Sequence, residues 1–376
     1  MFKGKIVLFL SLILLLWVSA AQAYIGLCCA HCGGNMPLNL VGGGIPEPKE
    51  FRFKISQMFM EMGPLRDGTD DVISSEIIGV ANGTTFPAVP NSMQQYMTMF
   101  GAAYSFTDDF ALMAMTNYTR NEMQMEVHSS IGGRNFTMSS DGVGDFTLLG
   151  KYRAYANDDL VPTDQVSVLF GLSLPTGAIE RKFTNHSVAA QNGTILPYKM
   201  QLGSGTVDPI IGLTYQGSHD PFWWGLNTQL EAHVYDNKQG YHRGQEFRYD
   251  FYAMKQVHDK WVLHAQLNGQ YEGRFSDEPY NGRILGEGRS GAGNFLTPLF
   301  DPHNYGGHKL NISFGAQFQP IPLHIVEVTA SVPIYQDLNG PQLQDNWMLQ
   351  FTYYMEVPTK NSRRYKGFSP PKALGF

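Results

Sequence analysis

Methionines recur at every second residue in three neighbouring stretches of the chain. Thioether sulfur is a soft, neutral and weak ligand, and soft ligands select Cu(I) over the hard cations. Several thioethers spaced two residues apart on adjoining strands therefore predict a ladder of weak copper(I) sites, which is what passage of an ion requires. Ten of the 17 methionines form this set: Met58, Met60, Met62, Met93, Met97, Met99, Met113, Met115, Met123 and Met125.

These methionines share their parity with polar residues. Successive side chains of a β-strand point to opposite faces, so parity tells which surface a residue lines. In the first stretch Met58, Met60 and Met62 continue a column that begins with Arg52 and Lys54, while phenylalanines dominate the other column. The thioethers are therefore predicted to face the wetter of the two surfaces.

Two other uses of methionine fit the same positions. Methionine is an adaptable filler of irregular interiors, which is its commoner use. It would also line a track for a hydrophobic solute. Filler should be scattered along the chain, whereas these residues are clustered. The clustering favours copper(I) as the main interpretation.

A second soft-ligand cluster lies near the N-terminus. Cys28, Cys29, His31, Cys32 and Met36 gather thiolate, imidazole and thioether within nine residues. Such a cluster can bind Cu(I) or zinc. The alternative is a small disulfide loop with one spare thiol in an oxidising compartment. No disulfide framework across the chain is expected, because all three cysteines fall in this one place.

The first residues have the pattern of a secretory signal peptide. Lys3 and Lys5 precede an apolar run over residues 6–18, and a small-residue cleavage site ends at Ala23. We predict a signal peptide over 1–23, a Cys/Gly-rich periplasmic arm or plug over 24–50, a β-barrel over 51–356 and a C-terminal tail over 357–376.

The remaining chain has the alternation of apolar and polar residues that is typical of β-strands. About twelve segments of about ten residues alternate between apolar and polar side chains, which is the length of a tilted strand in an outer membrane. Their links alternate between long and short. This pattern predicts an all-β fold, a transmembrane antiparallel β-barrel of about 12 strands with long outer loops and short periplasmic turns. The long links are predicted at residues 63–92, 126–144, 175–205, 236–245, 274–308 and 335–345.

A group of charged residues is predicted to face inward on three successive strands. An acid and base site is one interpretation, but no Ser or Cys nucleophile is placed beside the group by spacing. A charged network that rigidifies the barrel interior is favoured, and no enzymatic activity is expected. The group comprises Glu231, His233, Arg248, Asp250, His264 and Glu272.

Several turn and loop motifs resemble the family of outer-membrane proteins named after the meta-pathway of phenol degradation. The resemblance implies a transporter barrel and favours uptake of small aromatic or other hydrophobic molecules. The basic tail from Thr359 to Phe376, the cysteine cluster and the methionines depart from the family pattern. The matching residues are 142–146, 151–153, 171–177, 202–205 with Asp208, 332–335 and 339–343.

The sequence as a whole predicts an outer-membrane channel or binding protein for copper(I). The alternative is an uptake channel for small aromatic or other hydrophobic compounds. The expected partners are outer-membrane lipid and a periplasmic metal carrier. The net charge of −6 is mild and spread out, so no nucleic-acid partner is indicated.

Overall fold

The computed structural model describes residues 36–42, 48–79, 85–129, 134–158, 162–187, 189–277 and 295–362. The predicted signal peptide lies outside these residues, as do Cys28, Cys29, His31 and Cys32 and the end of the tail from residue 363. Within the described ranges, no helix has the length and apolarity needed to cross a bilayer.

Strands dominate the described part of the chain. The only α-helix there spans four residues, Ser74–Ile77, and short 3-10 helices occur at Ala189–Gln191, Tyr198–Met200, Pro298–Phe300 and Pro302–Asn304. The strands are β1 Glu50–Gly68, β2 Asp70–Val72, β3 Ala88–Ser105, β4 Phe110–Val127, β5 Phe136–Val143, β6 Phe146–Ala156, β7 Asp164–Leu174, β8 Asp208–His219, β9 Phe222–Glu231, β10 Tyr241–His242, β11 Glu246–His258, β12 Trp261–Glu272, β13 Ser276–Asp277, β14 Gly307–Phe318 and β15 His324–Pro358.

The strands close into one antiparallel barrel. Each ring strand pairs with the next ring strand along the chain, and β15 pairs with β1 to close the ring. Eleven of the described strands form this ring. Strands β2 and β5 extend its wall, and β10 with β13 form a separate pair. The predicted fold class is confirmed.

Strand β15 crosses the barrel twice. Its 35 residues would span about 115 Å if straight, far more than one crossing. Residues 326–338 pair with β14, whereas residues 338–358 pair with β1. The Gln336 side chain donates to Asp345 O at 3.0 Å and accepts from Asp345 N at 2.8 Å, which requires a reversal between them. The barrel therefore has twelve passes, as the sequence predicts.

The prediction of a long outer link at residues 335–345 is wrong. The two halves of β15 are joined by a tight reversal around Gly340, whose φ of +73° lies in the left-handed region that favours glycine. Gln342 closes this turn by donating to Gly306 O and Asn339 O at 2.9 and 3.0 Å. Polar residues that indicated a loop are instead paired within the strand ends.

The long link predicted at residues 126–144 is also wrong in part, because residues 136–143 form β5. Strand β5 pairs with the outer half of β4, and β6 pairs with the inner half of β4. In β5, Met138 and Ser140 are buried, while Ser139 and Asp141 are exposed. The small polar residues on both faces weaken the alternation by which a strand is read from sequence.

Outward and inward faces differ as the parity of the sequence predicts. On β1, Phe53 is 41% exposed and Ile55 is 47% exposed, whereas Arg52 is 8% exposed and Ser56 is fully buried. Apolar residues outside and polar residues inside are the arrangement of an outer-membrane barrel. The lumen is therefore the polar side of the sheet.

Asp145 joins three separate segments at the junction of β5 and β6. Its Oδ1 accepts from Gly177 N at 2.8 Å and its Oδ2 from Ser204 N at 2.7 Å. Gly177 and Gly203 pack so closely that a Cβ on Gly177 would lie 2.7 Å from Gly203 Cα. Three of the motifs that carry the family resemblance thus meet at one carboxylate, which anchors the loop over residues 175–207.

Replacing Asp145 with alanine should loosen this loop. Two hydrogen bonds to a charged acceptor are lost, and we expect the free energy of unfolding to fall by about 3 kcal/mol. Urea titration of the refolded barrel in detergent measures this change. Asp141→Ala is the matched control, because its exposed carboxylate accepts from Tyr118, and a smaller loss is expected. Equal losses in the two variants would contradict the anchoring role.

Candidate functional site

Residues 36–42 lie inside the barrel, at the end with the short turns. Glu327, on β15, accepts from Leu38 N at 2.8 Å and from Asn39 N at 3.0 Å. Gln317 donates to Met36 O at 3.1 Å and to Glu327 at 2.8 Å. This segment, hereafter the plug, falls within the range 24–50 that the sequence predicts as an arm or plug.

The plug reaches across the lumen to β6. Lys54 Nζ, on β1 beside β15, donates to Leu38 O at 3.0 Å, and Lys151 Nζ, on β6, donates to Gly42 O at 2.6 Å. Gly42 also lies against Leu169 on β7, where a Cβ would come within 2.8 Å of the leucine side chain. Buried backbone groups need partners, and the lumen supplies a carboxylate for the amides and ammonium groups for the carbonyls.

Met36 and Leu40 of the plug belong to an apolar cluster at the inner end of the barrel. The role that the sequence predicts for Met36, as a ligand beside the cysteines, stays a prediction. The remaining members of the cluster are Trp223, Tyr252, Met254, Val262, Ile325 and Tyr354.

Aromatic residues from three outer loops cover the other end of the lumen. Tyr198 contacts Tyr241 edge-on at 4.8 Å between ring centroids, and Phe275 stacks on Tyr305 at 4.6 Å. The hydroxyl of Tyr305 donates to Leu299 O, and burial raises the pKa of this tyrosine well above its ordinary value. We call these four aromatic residues the lid.

A cavity of about 500 Å³ lies between the plug and the lid. Val41 of the plug and Phe275 and Tyr305 of the lid contribute to its lining. Its volume is within the range of pockets that bind small molecules. The two sides of the cavity differ in chemistry.

One side is a methionine wall formed by β1, β3 and β4. The strand register places Met58 opposite Met97, Met62 opposite Met93, and Met93 opposite Met123. Seven of the ten methionines predicted from the sequence line the cavity: Met60, Met62, Met93, Met97, Met99, Met115 and Met123. Met58, Met113 and Met125 are not among the lining residues.

Met125 packs beneath the lid instead, in a buried cluster that also contains Met138. Sequence reasoning did not select Met138, because it is a single methionine in a segment read as a loop. The register places Met138 directly opposite Met123, so the methionine wall continues onto β5.

The opposite side is a charged wall formed mainly by β9, β11, β12 and β14. Lys309 pairs with Asp345 at 2.9 Å, Lys199 pairs with Glu272 at 3.0 Å, and Arg248 pairs with Glu246. Most of these charges compensate one another. The arrangement agrees with a network that rigidifies the interior.

The inward charged residues predicted from the sequence fall at two depths. Glu231, His233, Arg248 and Glu272 line the cavity. Asp250 accepts hydrogen bonds from Asn227 and Asn268, and His264 lies 3.5 Å from Glu327 beside the plug. The first group belongs to the cavity, and the second supports the barrel below it.

The barrel wall is interrupted beside β5. Strand β7 ends at Leu174, where it pairs with Phe146 at the start of β6. Among the described residues only β4 pairs with β5. The loop over residues 175–207 covers the other edge, where the Arg181 guanidinium donates to Asp141 O. A loop rather than a strand therefore closes this part of the wall.

A closed antiparallel barrel with an apolar outside and a polar lumen defines the class of outer-membrane β-barrel proteins. Residues 77–300 match the family described as "Putative MetA-pathway of phenol degradation". The chain belongs to this family. No curated protein sequence matches it.

The chain is similar to several solved structures of outer-membrane proteins. An outer-membrane channel from Pseudomonas putida F1 is 10% identical, with a TM-score of 0.51 over 90% of this chain and 100% of that chain. The P. putida toluene transporter TodX is 9% identical, with a TM-score of 0.38 over 84% of this chain and 91% of that chain. A Pseudomonas aeruginosa FadL homologue is 8% identical, with a TM-score of 0.37 over 82% of this chain and 90% of that chain.

Replacing Glu327 with alanine should release the plug. The change removes the acceptor of two plug amides and costs about 3 kcal/mol, which shifts the balance between the seated and the unseated plug by about a hundredfold. We expect more frequent and larger openings in single-channel recordings.

Glu126→Ala is the control for this prediction, because Glu126 lies near the outer end of β4 and is paired across the sheet with Val89. Its conductance should equal that of the unmodified protein. Unchanged conductance in Glu327→Ala would show that the plug does not close the lumen.

Proposed function

We propose that the protein is an outer-membrane channel that takes up small aromatic compounds of the phenol class. The observation that carries the proposal is the cavity, with thioethers on one side and hydrogen-bonding groups on the other. A phenol has the same division between an apolar ring and a polar hydroxyl. Membership of a family described by phenol degradation supports the assignment.

The methionine wall suits an aromatic ring. The methionine side chain is apolar and flexible, and it adapts to ligands of different shape. Met97 and Met99 lie on the central strand of this wall. Several weak contacts hold a solute long enough to enter the cavity but still allow it to leave.

The charged wall suits the hydroxyl. Lys309 and Asp345 present a donor and an acceptor to the cavity, and Gln229 and Gln270 add neutral amides. Because the charges are largely paired with one another, the wall does not need a ligand of opposite charge. It can still orient a neutral polar group through hydrogen bonds. The cavity therefore favours a neutral, partly apolar solute.

The closed ends imply a route that is not a straight pore. The solute enters beside β5, where a loop replaces a strand in the wall, and Asp145 controls how firmly that loop is held. It leaves on the inner side after displacement of the plug. Export to the outer membrane through a cleaved signal peptide is part of this proposal.

Copper(I) is the second candidate cargo, because seven methionines line one cavity. Both candidates use the same wall but need different properties of it. Copper(I) requires sulfur, whereas an aromatic solute requires only an apolar surface. Leucine replaces the volume of methionine without its sulfur, so this substitution distinguishes the two.

The test uses a variant in which Met60, Met62, Met97 and Met99 are all changed to leucine. Volume-conserving apolar exchanges are well tolerated, so uptake of phenol into proteoliposomes should stay within about twofold of the unmodified rate. A Met97→Lys variant places an unpaired charge in the wall and should lower phenol uptake at least about tenfold.

Xylose uptake by the same proteoliposomes controls for leakage, because xylose is small but has no apolar face. Equal rates for phenol and xylose would contradict a channel for aromatic compounds. Cu(I) binding that vanishes in the leucine variant, with phenol uptake absent throughout, would establish the copper interpretation instead.

A further inference from the structure

Three potential metal ligands converge where β8 and β9 meet the outer loops. The Asp208 carboxylate, the Glu231 carboxylate and the His233 imidazole each offer one ligand atom, and these atoms all lie within 4.8 Å of one another. His233 Nδ1 is 3.0 Å from Asp208 Oδ1. We propose that this cluster is a binding site for a divalent transition-metal ion of the Zn²⁺ type.

The polar atoms of the cluster are buried and incompletely satisfied. Asp208 is fully buried and His233 is 3% exposed. Asp208 Oδ1 accepts from Thr206 Oγ1 at 2.6 Å and also pairs with His233 Nδ1, but Asp208 Oδ2 has no hydrogen-bond partner among the described residues. Buried polar atoms are nearly always satisfied, and a bound cation would satisfy this oxygen.

Neighbouring side chains hold the ligands in place. The Gln245 side chain accepts from His233 N at 3.1 Å and donates to His233 O at 2.6 Å. Thr206 fixes one oxygen of Asp208 and thereby directs the other. Supporting contacts of this kind orient metal ligands and raise their affinity.

The donor set identifies the class of ion. Two carboxylate oxygens and one imidazole nitrogen suit borderline divalent ions such as Zn²⁺, and they do not suit Cu(I), which prefers sulfur. Three protein ligands leave a coordination position open. Glu231 and His233 both line the cavity, so ions can reach the site from the lumen.

Nearby charges do not cancel the attraction of the site for a cation. Arg248 lies close enough to Glu231 to influence it electrostatically, but its guanidinium donates to Glu246. Glu246 is also the register partner of Glu231 on the adjoining strand. The pair formed by Arg248 and Glu246 is neutral overall, so Asp208 and Glu231 retain a net negative charge.

Metal binding would connect two outer loops. Asp208 ends the loop that carries Tyr198, and His233 begins the loop that carries Tyr241. These tyrosines contact each other in the lid. An ion held between Asp208 and His233 therefore fastens both loops to the barrel and keeps the lid closed. This role is independent of the solute that the channel carries.

The test is a calorimetric titration of the refolded full-length chain with ZnCl₂ in detergent. Cys28, Cys29 and Cys32 are changed to serine, so that thiolates contribute no binding. One equivalent of Zn²⁺ should bind. Asp208→Asn, Glu231→Gln and His233→Ala should each weaken the binding at least about tenfold.

His303→Ala is the matched control. His303 Nδ1 also lies 3.0 Å from an aspartate oxygen, that of Asp301, but no third ligand joins this pair within the described ranges. The loss of His303 should therefore leave Zn²⁺ binding unchanged. Folding of each variant is verified by its heat-dependent gel mobility. If the variants of the buried residues Asp208 and His233 fail to fold, Zn²⁺ binding by Glu231→Gln decides the test. Glu231 is only partly buried, and glutamine has nearly the same shape as glutamate.

Two results would overturn the proposal. The first is the absence of stoichiometric Zn²⁺ binding to the chain without cysteines. The second is binding that survives in folded Glu231→Gln and His233→Ala, which would place the ion elsewhere. As a second readout, saturating Zn²⁺ should slow proteolysis of the loop over residues 175–207 in the chain without cysteines and have no effect in His233→Ala.

Discussion

A barrel of twelve passes encloses more space than its own inward side chains can fill. Barrels of about eight strands are filled by side chains, and wider ones leave a lumen. Here the inner end is filled by the backbone of residues 36–42, and the outer end by loop aromatics. Backbone inside a lumen brings amide and carbonyl groups that need partners. The inward-facing side chains of Glu327, Lys54 and Lys151 form hydrogen bonds with these backbone groups.

The cavity between the plug and the lid has two chemically different sides. One side is rich in charges, and these charges are paired, as Lys309 with Asp345 and Lys199 with Glu272. The other side, on β1, β3 and β4, is lined by methionines such as Met97. Methionine lines this side without adding unpaired polar atoms. The cavity is therefore amphipathic.

Much of the fold could be predicted from the sequence, because period-two alternation is a local signal. Parity alone placed Met60, Met97 and Met123 on the lumen side. Local signals failed where pairing is long-range or where small polar residues occupy both faces, as in β5. The plug could not be positioned from sequence, since Leu38 and the Glu327 that binds it are 289 residues apart.

The candidate metal cluster also could be predicted only in part from the sequence. The sequence indicated that Glu231 and His233 face inward, and their parity is a local property. Asp208 joins them only through the pairing of β8 with β9, in which Ile210 lies opposite Glu231. A register between distant segments decides which side chains meet, and a single sequence does not reveal it.

The proposed function requires that the lumen cavity bind a small aromatic solute between its two walls. Crystals of the full-length protein soaked in 4-bromophenol test it directly, because the anomalous signal of bromine marks the position of the ring. We expect a bromine peak inside the cavity, against Met97 and Met99, with the hydroxyl directed toward Lys309 and Asp345. A cavity without bromine at saturating 4-bromophenol, or bromine only on the outer surface of the barrel, would contradict it.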